Sequence, residues 1–363
     1  MNLHIVPDSK FSDTFCRNLQ ELGLIENNKI IVRTNQSRLR YITHDLPFSK
    51  MYSSAMDRFI GETKTYDRVF IHQFSPLMFR WVAKNTFREL NWMIWGGDLY
   101  NLPFVDFNAF EPLTKQNYIK TRKDTGHWLY LAKLYLTNMI FMKKAYSKVN
   151  NVLTWMKSEY EFAQQHIPSL NANYQFFFYE NQIPYHKLDE SDFRKNTTAS
   201  LKRKILVGNS GTATNNHLDA ILSIEKSGID ADLYIPASYG DSTYINHLKR
   251  NASFYKKGSL VFMEKFMGFD EYFKFMKECD ALVMNHIRPQ GYGNIFMMMY
   301  LGKPVYLNPN NVSLNDLKDN GLKYLLLPDI KPIQSDLVVP NKEPLLELFS
   351  HEKLESRYRL LFG

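Results

Sequence analysis

Three short stretches of this 363-residue chain combine residue types and spacings that can do chemistry. In the first, Val207-Gly208-Asn209-Ser210-Gly211-Thr212 follows an apolar run and precedes a helical pattern that carries Asn215, Asn216 and His217. Glycine lets the backbone approach a ligand closely, and a helix N-terminus offers free N–H groups to a phosphate. The second, Arg288-Pro289-Gln290-Gly291-Tyr292-Gly293-Asn294, also joins a strand to a helix and adds a guanidinium. Neither loop has the Gly-Lys-Ser/Thr ending of a Walker A motif or the GxGxxG spacing. Each alone also reads as an ordinary strand-to-helix turn; side by side at the top of one sheet, the two could hold a diphosphate. In the third, Trp95-Gly96-Gly97-Asp98-Leu99-Tyr100, a carboxylate follows two glycines at a strand end. Asp98 is the candidate catalytic base or acceptor-orienting group, or else the cap of the following turn. His72, followed by Gln73 at the end of the preceding strand, is the second catalytic candidate, with structural packing as its alternative. The sequence has no HExxH and no CxxC, and the expectation is metal-independent chemistry in which helix ends and Arg288 meet the phosphate charge.

These loops need strands and helices in strict alternation to bring them to one edge. The second half supplies that pattern. Apolar runs at Lys204–Val207, Asp232–Ile235, Leu260–Phe262, Ala281–Asn285 and Pro304–Leu307 alternate with helical stretches near 215–226, 243–250, 270–278 and 295–301. Right-handed crossovers then give a parallel, doubly wound sheet. The first half repeats the pattern through strands at Leu3–Val6, Ile30–Val32, Arg68–Ile71, Trp92–Trp95, Val152–Trp155 and Gln175–Phe178. Helices fall near 12–22 and after Ser75-Pro76. Polar residues 190–202 read as a linker, so the expected division is 1–190, 203–340 and a terminal helix at 343–363. Two doubly wound α/β domains place a ligand cleft between the carboxyl ends of their sheets.

Composition narrows the class of protein. At 44% hydrophobic and 23% charged the chain can build a sizeable core. Cys16 and Cys279 are too few for a disulfide framework and fit a reducing compartment. The first ten residues read as a strand and turn rather than a signal peptide, and no uninterrupted apolar run reaches the length of a spanning helix. The net charge is +8, and residues 115–148 hold eight Lys or Arg against the single acid Asp124. An anionic partner is therefore expected at one place. The aromatic run 128–142 inside that segment reads either as a helix lying on an anionic membrane surface or as a core helix with solvated ends. No recognised nucleic-acid motif accompanies the charge.

Taken together, the stretches Trp95–Tyr100, Ile205–Gly211, Phe269–Tyr272 with Cys279-Asp280, and Gln290–Gly293 with Gly302-Lys303-Pro304 resemble one family. It is the TDP-N-acetylfucosamine:lipid II N-acetylfucosaminyltransferase family, also called the 4-alpha-L-fucosyltransferase family. The resemblance runs from about His72 to Asn308. It implies a GT-B fold of two Rossmann-like domains facing across a cleft, with the acceptor on the N-terminal domain and the nucleotide sugar on the C-terminal one. It also implies transfer of an amino-deoxy sugar from a TDP donor, or a UDP donor in its place. The acceptor would be an undecaprenyl-diphosphate-linked saccharide at the inner face of the cytoplasmic membrane, in surface polysaccharide synthesis. On that template Gly208, Asn209, Ser210 and Gly211 lie by the donor, while Gln290, Gly291, Gly293 and Asn294 hold its diphosphate. Asp98 lies near the acceptor, and no cofactor beyond the donor substrate is needed. Two alternatives remain: a sugar-nucleotide 2-epimerase of the same fold, and a non-catalytic membrane- or polyanion-binding protein.

Overall fold

The computed structural model describes residues 1–102, 105, 107–119, 139–180, 202–330 and 340–363. Most of the expected linker and residues 120–138 of the basic aromatic stretch lie outside the described residues.

The chain divides into two compact units, the first formed by Met1–Phe107, Asp124–Asn181 and His351–Gly363, the second by Asn108–Lys123 and Gln182–Ser350. In the first, seven parallel strands are β1 (Asn2–Pro7), β2 (Asn28–Arg33), β3 (Phe48–Ser49), β4 (Arg68–His72), β5 (Leu90–Met93), β6 (Asn151–Thr154) and β7 (Asn173–Phe176). Their order is β3-β2-β1-β4-β5-β6-β7, so the winding reverses between β1 and β4. The second unit holds β8 (Arg203–Val207), β9 (Ala231–Pro236), β10 (Leu260–Met263), β11 (Ala281–Met284), β12 (Val305–Leu307) and β13 (Leu325–Leu326). Their order is β10-β9-β8-β11-β12-β13, again all parallel, with the reversal between β8 and β11. Such reversal points are where open α/β sheets bind ligands.

Helices follow from caps and apolar faces. Ser9 opens Lys10–Glu21 by accepting a hydrogen bond from Ser12 N (3.1 Å), and Phe15, Cys16 and Leu19 form its buried face. Burial pushes the Cys16 thiol up to about 12, so it stays protonated. Tyr292–Tyr300 is buried at every residue from Ile295 to Tyr300, as an apolar helix covering a sheet requires. In the first unit, Phe15, Phe70, Phe177 and His4 surround Phe362 at ring-centre distances of 5.2–5.5 Å.

Where one terminal helix was expected, there are two. Lys342–Phe349 and His351–Phe362 are separated by Ser350, whose extended backbone (φ −65°, ψ 162°) breaks the hydrogen-bond ladder. The second of them belongs to the first unit: Asn28 Nδ2 donates to Phe362 O (2.8 Å) and Tyr358 Oη to Tyr179 O (2.7 Å). The stretch 108–119 also leaves the unit expected for it. Its partners are Asn216, Asp219 and Asp241 of the second unit.

Candidate functional site

In the second unit the two glycine loops leave adjacent strands, β8 and β11, on either side of the winding reversal. Gln290 joins them. Its Nε2 donates to Asn209 Oδ1 (3.1 Å), and its Oε1 accepts from Thr214 Oγ1 (2.7 Å). Below the loops, the buried Asn215 Oδ1 accepts from Asn209 N (2.8 Å) and pairs with His286 Nε2 (2.9 Å), while Asn215 Nδ2 donates to Ser210 Oγ (3.2 Å). Gly208 has φ +74°, and a Cβ there would come within 2.5 Å of Asn215 Oδ1 and 2.7 Å of His217 Nε2, so no other residue fits. Gly291 has φ +71° and caps the helix Tyr292–Tyr300, aiming that helix's N-terminus at the loop edge.

The individual residues divide by orientation. Asn209, Arg288, Gln290, Gly291 and Gly293 are half-buried at this edge, whereas Gly208, Ser210 and Gly211 are buried. The Asn294 side chain turns away, donating to Tyr272 Oη (2.9 Å) on the neighbouring helix Phe269–Glu278. His217 and His286 are buried and neutral: burial draws His217 down to about 3 and His286 well below the ordinary range, with the Arg288 charge adding to the latter.

Sequence reasoning missed several residues at this edge. Tyr239, 57% exposed, donates its hydroxyl to Asn209 O (2.9 Å) and stands beside the first loop. Glu111 arrives on the 108–119 stretch, where its Oε1 accepts from Asn308 Nδ2 (2.7 Å) at the end of β12 and its N–H donates to Asn216 Oδ1 (3.0 Å). One signal was available: asparagines stand at or within two residues of the ends of β8, β11 and β12 (Asn209, Asn285, Asn308). Asp230-Ala231-Asp232 opens β9 at the opposite edge. Among the described residues no group of three or more His, Cys, Asp or Glu is placed to hold a metal ion.

In the first unit the two expected catalytic side chains, Asp98 and His72, are buried and hydrogen-bonded within the fold. Asp98 is 3% exposed, and its Oδ2 accepts from Phe74 N and Trp92 Nε1 (both 2.7 Å) while Oδ1 accepts from Trp95 N (3.0 Å). Burial raises its pKa, and these donors work against that rise by favouring the charged form. These three donors enclose the carboxylate and fix the turn it sits in. His72 is buried inside a hydrogen-bonded chain. Trp95 Nε1 donates to Tyr179 Oη (2.7 Å), which pairs with His72 Nδ1 (2.7 Å); His72 Nε2 pairs with His4 Nδ1 (3.1 Å), and His4 Nε2 with Asn28 Oδ1 (2.9 Å). Since Trp95 can only donate, one consistent set of roles keeps both imidazoles neutral and protonated on Nε2. Burial lowers His4 to about 3 and His72 well below its usual value.

Comparison with known proteins resolves what this arrangement belongs to. The profile described as "4-alpha-L-fucosyltransferase glycosyl transferase group 56" matches residues 129–353, more than half of the chain. The chain belongs to this family. Solved structures give the fold. Alr3699/HepE of Anabaena, in complex with UDP, aligns over 99% of both chains with a TM-score of 0.61 at 11% identity. Sucrose-phosphate synthase of Thermosynechococcus elongatus aligns over 100% of this chain and 99% of its own (TM-score 0.57, 11% identity). A glycosyltransferase of Rickettsia africae ESF-5 covers 99% and 97% (0.56, 13%). This group 56 member is thus a glycosyltransferase with the GT-B fold of two Rossmann-like domains.

Proposed function

We propose that the enzyme transfers an amino-deoxy sugar of the N-acetylfucosamine type from a TDP-sugar, or a UDP-sugar in its place. The acceptor in this reading is a saccharide on undecaprenyl diphosphate at the inner face of the cytoplasmic membrane. The observation that carries the donor half is the Gln290 bridge, which holds the loops after β8 and β11 as one surface. The leaving diphosphate lies against Asn209, Gln290 and the N-terminus capped by Gly291, with Arg288 beside it. Helix N–H groups and a guanidinium offset the negative charge that grows as the glycosidic bond breaks. In this reading Tyr239, exposed beside the first loop, covers a nucleobase or sugar face. Alr3699/HepE, which shares the fold, is solved with UDP and with UDP-glucose, in support of a nucleotide-sugar donor.

For the acceptor half, Ile140 is 65% exposed and is followed by the exposed Lys143 and Lys144, an apolar residue next to cations as at an anionic lipid surface. No helix among the described residues is long and apolar enough to cross a membrane.

The first test is thermal unfolding with TDP, UDP, GDP, ADP and CDP. A nucleotide at 100 times its dissociation constant stabilises the native state by about 2.7 kcal/mol. TDP or UDP is expected to do so selectively. Stabilisation by none of the five removes the donor-loop reading, and products formed from the sugar nucleotide without acceptor would favour the epimerase.

A further inference from the structure

Arg33 is the last residue of β2, in register with Pro7, the last residue of β1. Its Nη2 donates to Gln73 O and Gln73 Oε1 (both 2.8 Å), with His72 O at 3.4 Å, at the end of β4. Because β1 lies between β2 and β4, the guanidinium spans the carboxyl end of β1 and occupies the winding reversal of this sheet. The helix Lys10–Glu21 begins at the same edge.

The guanidinium is incompletely used. Arg33 Nε is buried and has no hydrogen-bond partner, and among the described residues only Nη2 is engaged. No carboxylate lies within ion-pair distance of Arg33 among the described residues. Asp98 is the acid whose charge acts on Arg33, and it does so without an ion pair, its oxygens being taken by Phe74 N, Trp92 Nε1 and Trp95 N. Burial lowers the Arg33 pKa only to about 10, so the charge persists at neutral pH. Its anchor, Gln73, has φ +61°, a conformation that non-glycine residues hold only where their surroundings enforce it. A fixed, desolvated cation with unused N–H groups, at a sheet's winding reversal, matches the planar fork that binds oxyanions.

We infer that Arg33 forms an oxyanion-binding site in the first unit. Resting on the transferase reading above, its occupant is the acidic group of the acceptor, either a phosphoryl group or a sugar carboxylate. Phe11, exposed in the first turn of the same helix and edge-on to Trp95 at 5.5 Å, offers an apolar face for the attached sugar.

The test uses the full chain saturated with whichever nucleoside diphosphate stabilises it, titrated with inorganic pyrophosphate and, separately, with glucuronate. Arginine Nε–H resonances are followed by NMR, and the Arg33 signal is the one that Arg33→Lys removes. That signal should move saturably with at least one probe, and which probe moves it tells phosphoryl from carboxylate. Arg33→Gln should weaken binding about tenfold or more, the loss of a charge-assisted hydrogen bond, while leaving nucleotide stabilisation unchanged. A motionless Arg33 signal, or equal binding by a folded Arg33→Gln protein, overturns the site. Should Arg33→Gln not fold, the wild-type titration still decides. The readout lies in the first unit, so failure of nucleotides to bind the second would leave it standing.

Discussion

At the residue scale, Asp98 and the buried histidines show how polar groups in this protein hold structure in place. An amide at position 98 has one oxygen for the three donors Phe74 N, Trp92 Nε1 and Trp95 N, and turns an NH2 toward at least one of them. Asp98→Asn should therefore cost about 1–3 kcal/mol of stability, read as a lowered urea midpoint. Full stability with turnover abolished would return Asp98 to the chemistry. His4, His72, His217 and His286 are buried in neutral form, with His4 and His217 drawn down to about 3. The unfolded chain takes up protons on these rings below about pH 6.5, whereas the folded chain does not. The contribution of each is thus complete above about pH 6.5 and is lost as pH falls below it, for His4 and His217 down to about 3, at about 1.4 kcal/mol per histidine per pH unit. Urea unfolding at pH 7 and pH 5 should differ by several kcal/mol, with the destabilisation at pH 5 reduced in His4→Gln. Equal stability at the two pH values would contradict the neutral chain.

At the scale of elements, Phe362 shows what the terminal helix contributes. Its ring fills the space among Phe15, Phe70, Phe177 and His4, and its carbonyl accepts from Asn28. Phe362→Ala should destabilise the first unit by about 3–5 kcal/mol, measured by denaturant unfolding. Indifference to the change would mean that the helix is dispensable. The alternation of strand and helix was legible in the sequence because buried parallel strands are continuous apolar runs, and the glycine loops were legible because positive φ demands glycine. Short elements were not: β3 and β13 have two residues each, too few for any period. The side-chain roles were hidden for another reason. Nothing near Asp98 in the sequence announces that Phe74 N, 24 residues away, will bond it, or that Asp219 will capture Leu113 and Thr114 from more than 100 residues away. Arg33 gave no signal at all, since its meaning lies in strand order.

For the whole molecule, division into two compact units predicts that unfolding is not a single two-state event. Calorimetry should resolve two transitions. The nucleotide that binds the loops after β8 and β11 should raise one of them and leave the other in place; one transition shifting as a block would show the units to be strongly coupled. The return of His351–Gly363 to the first unit also bears on how the protein is made. Translation delivers β7 long before it delivers Phe362, and at about 5–20 residues per second the interval is on the order of ten to forty seconds. Throughout that time the aromatic pocket around Phe15 and Phe70 has no occupant of its own, a ready binding site for a chaperone and a hazard for aggregation. A chain cut short before His351 would thus injure the unit that residues Met1–Phe107 begin.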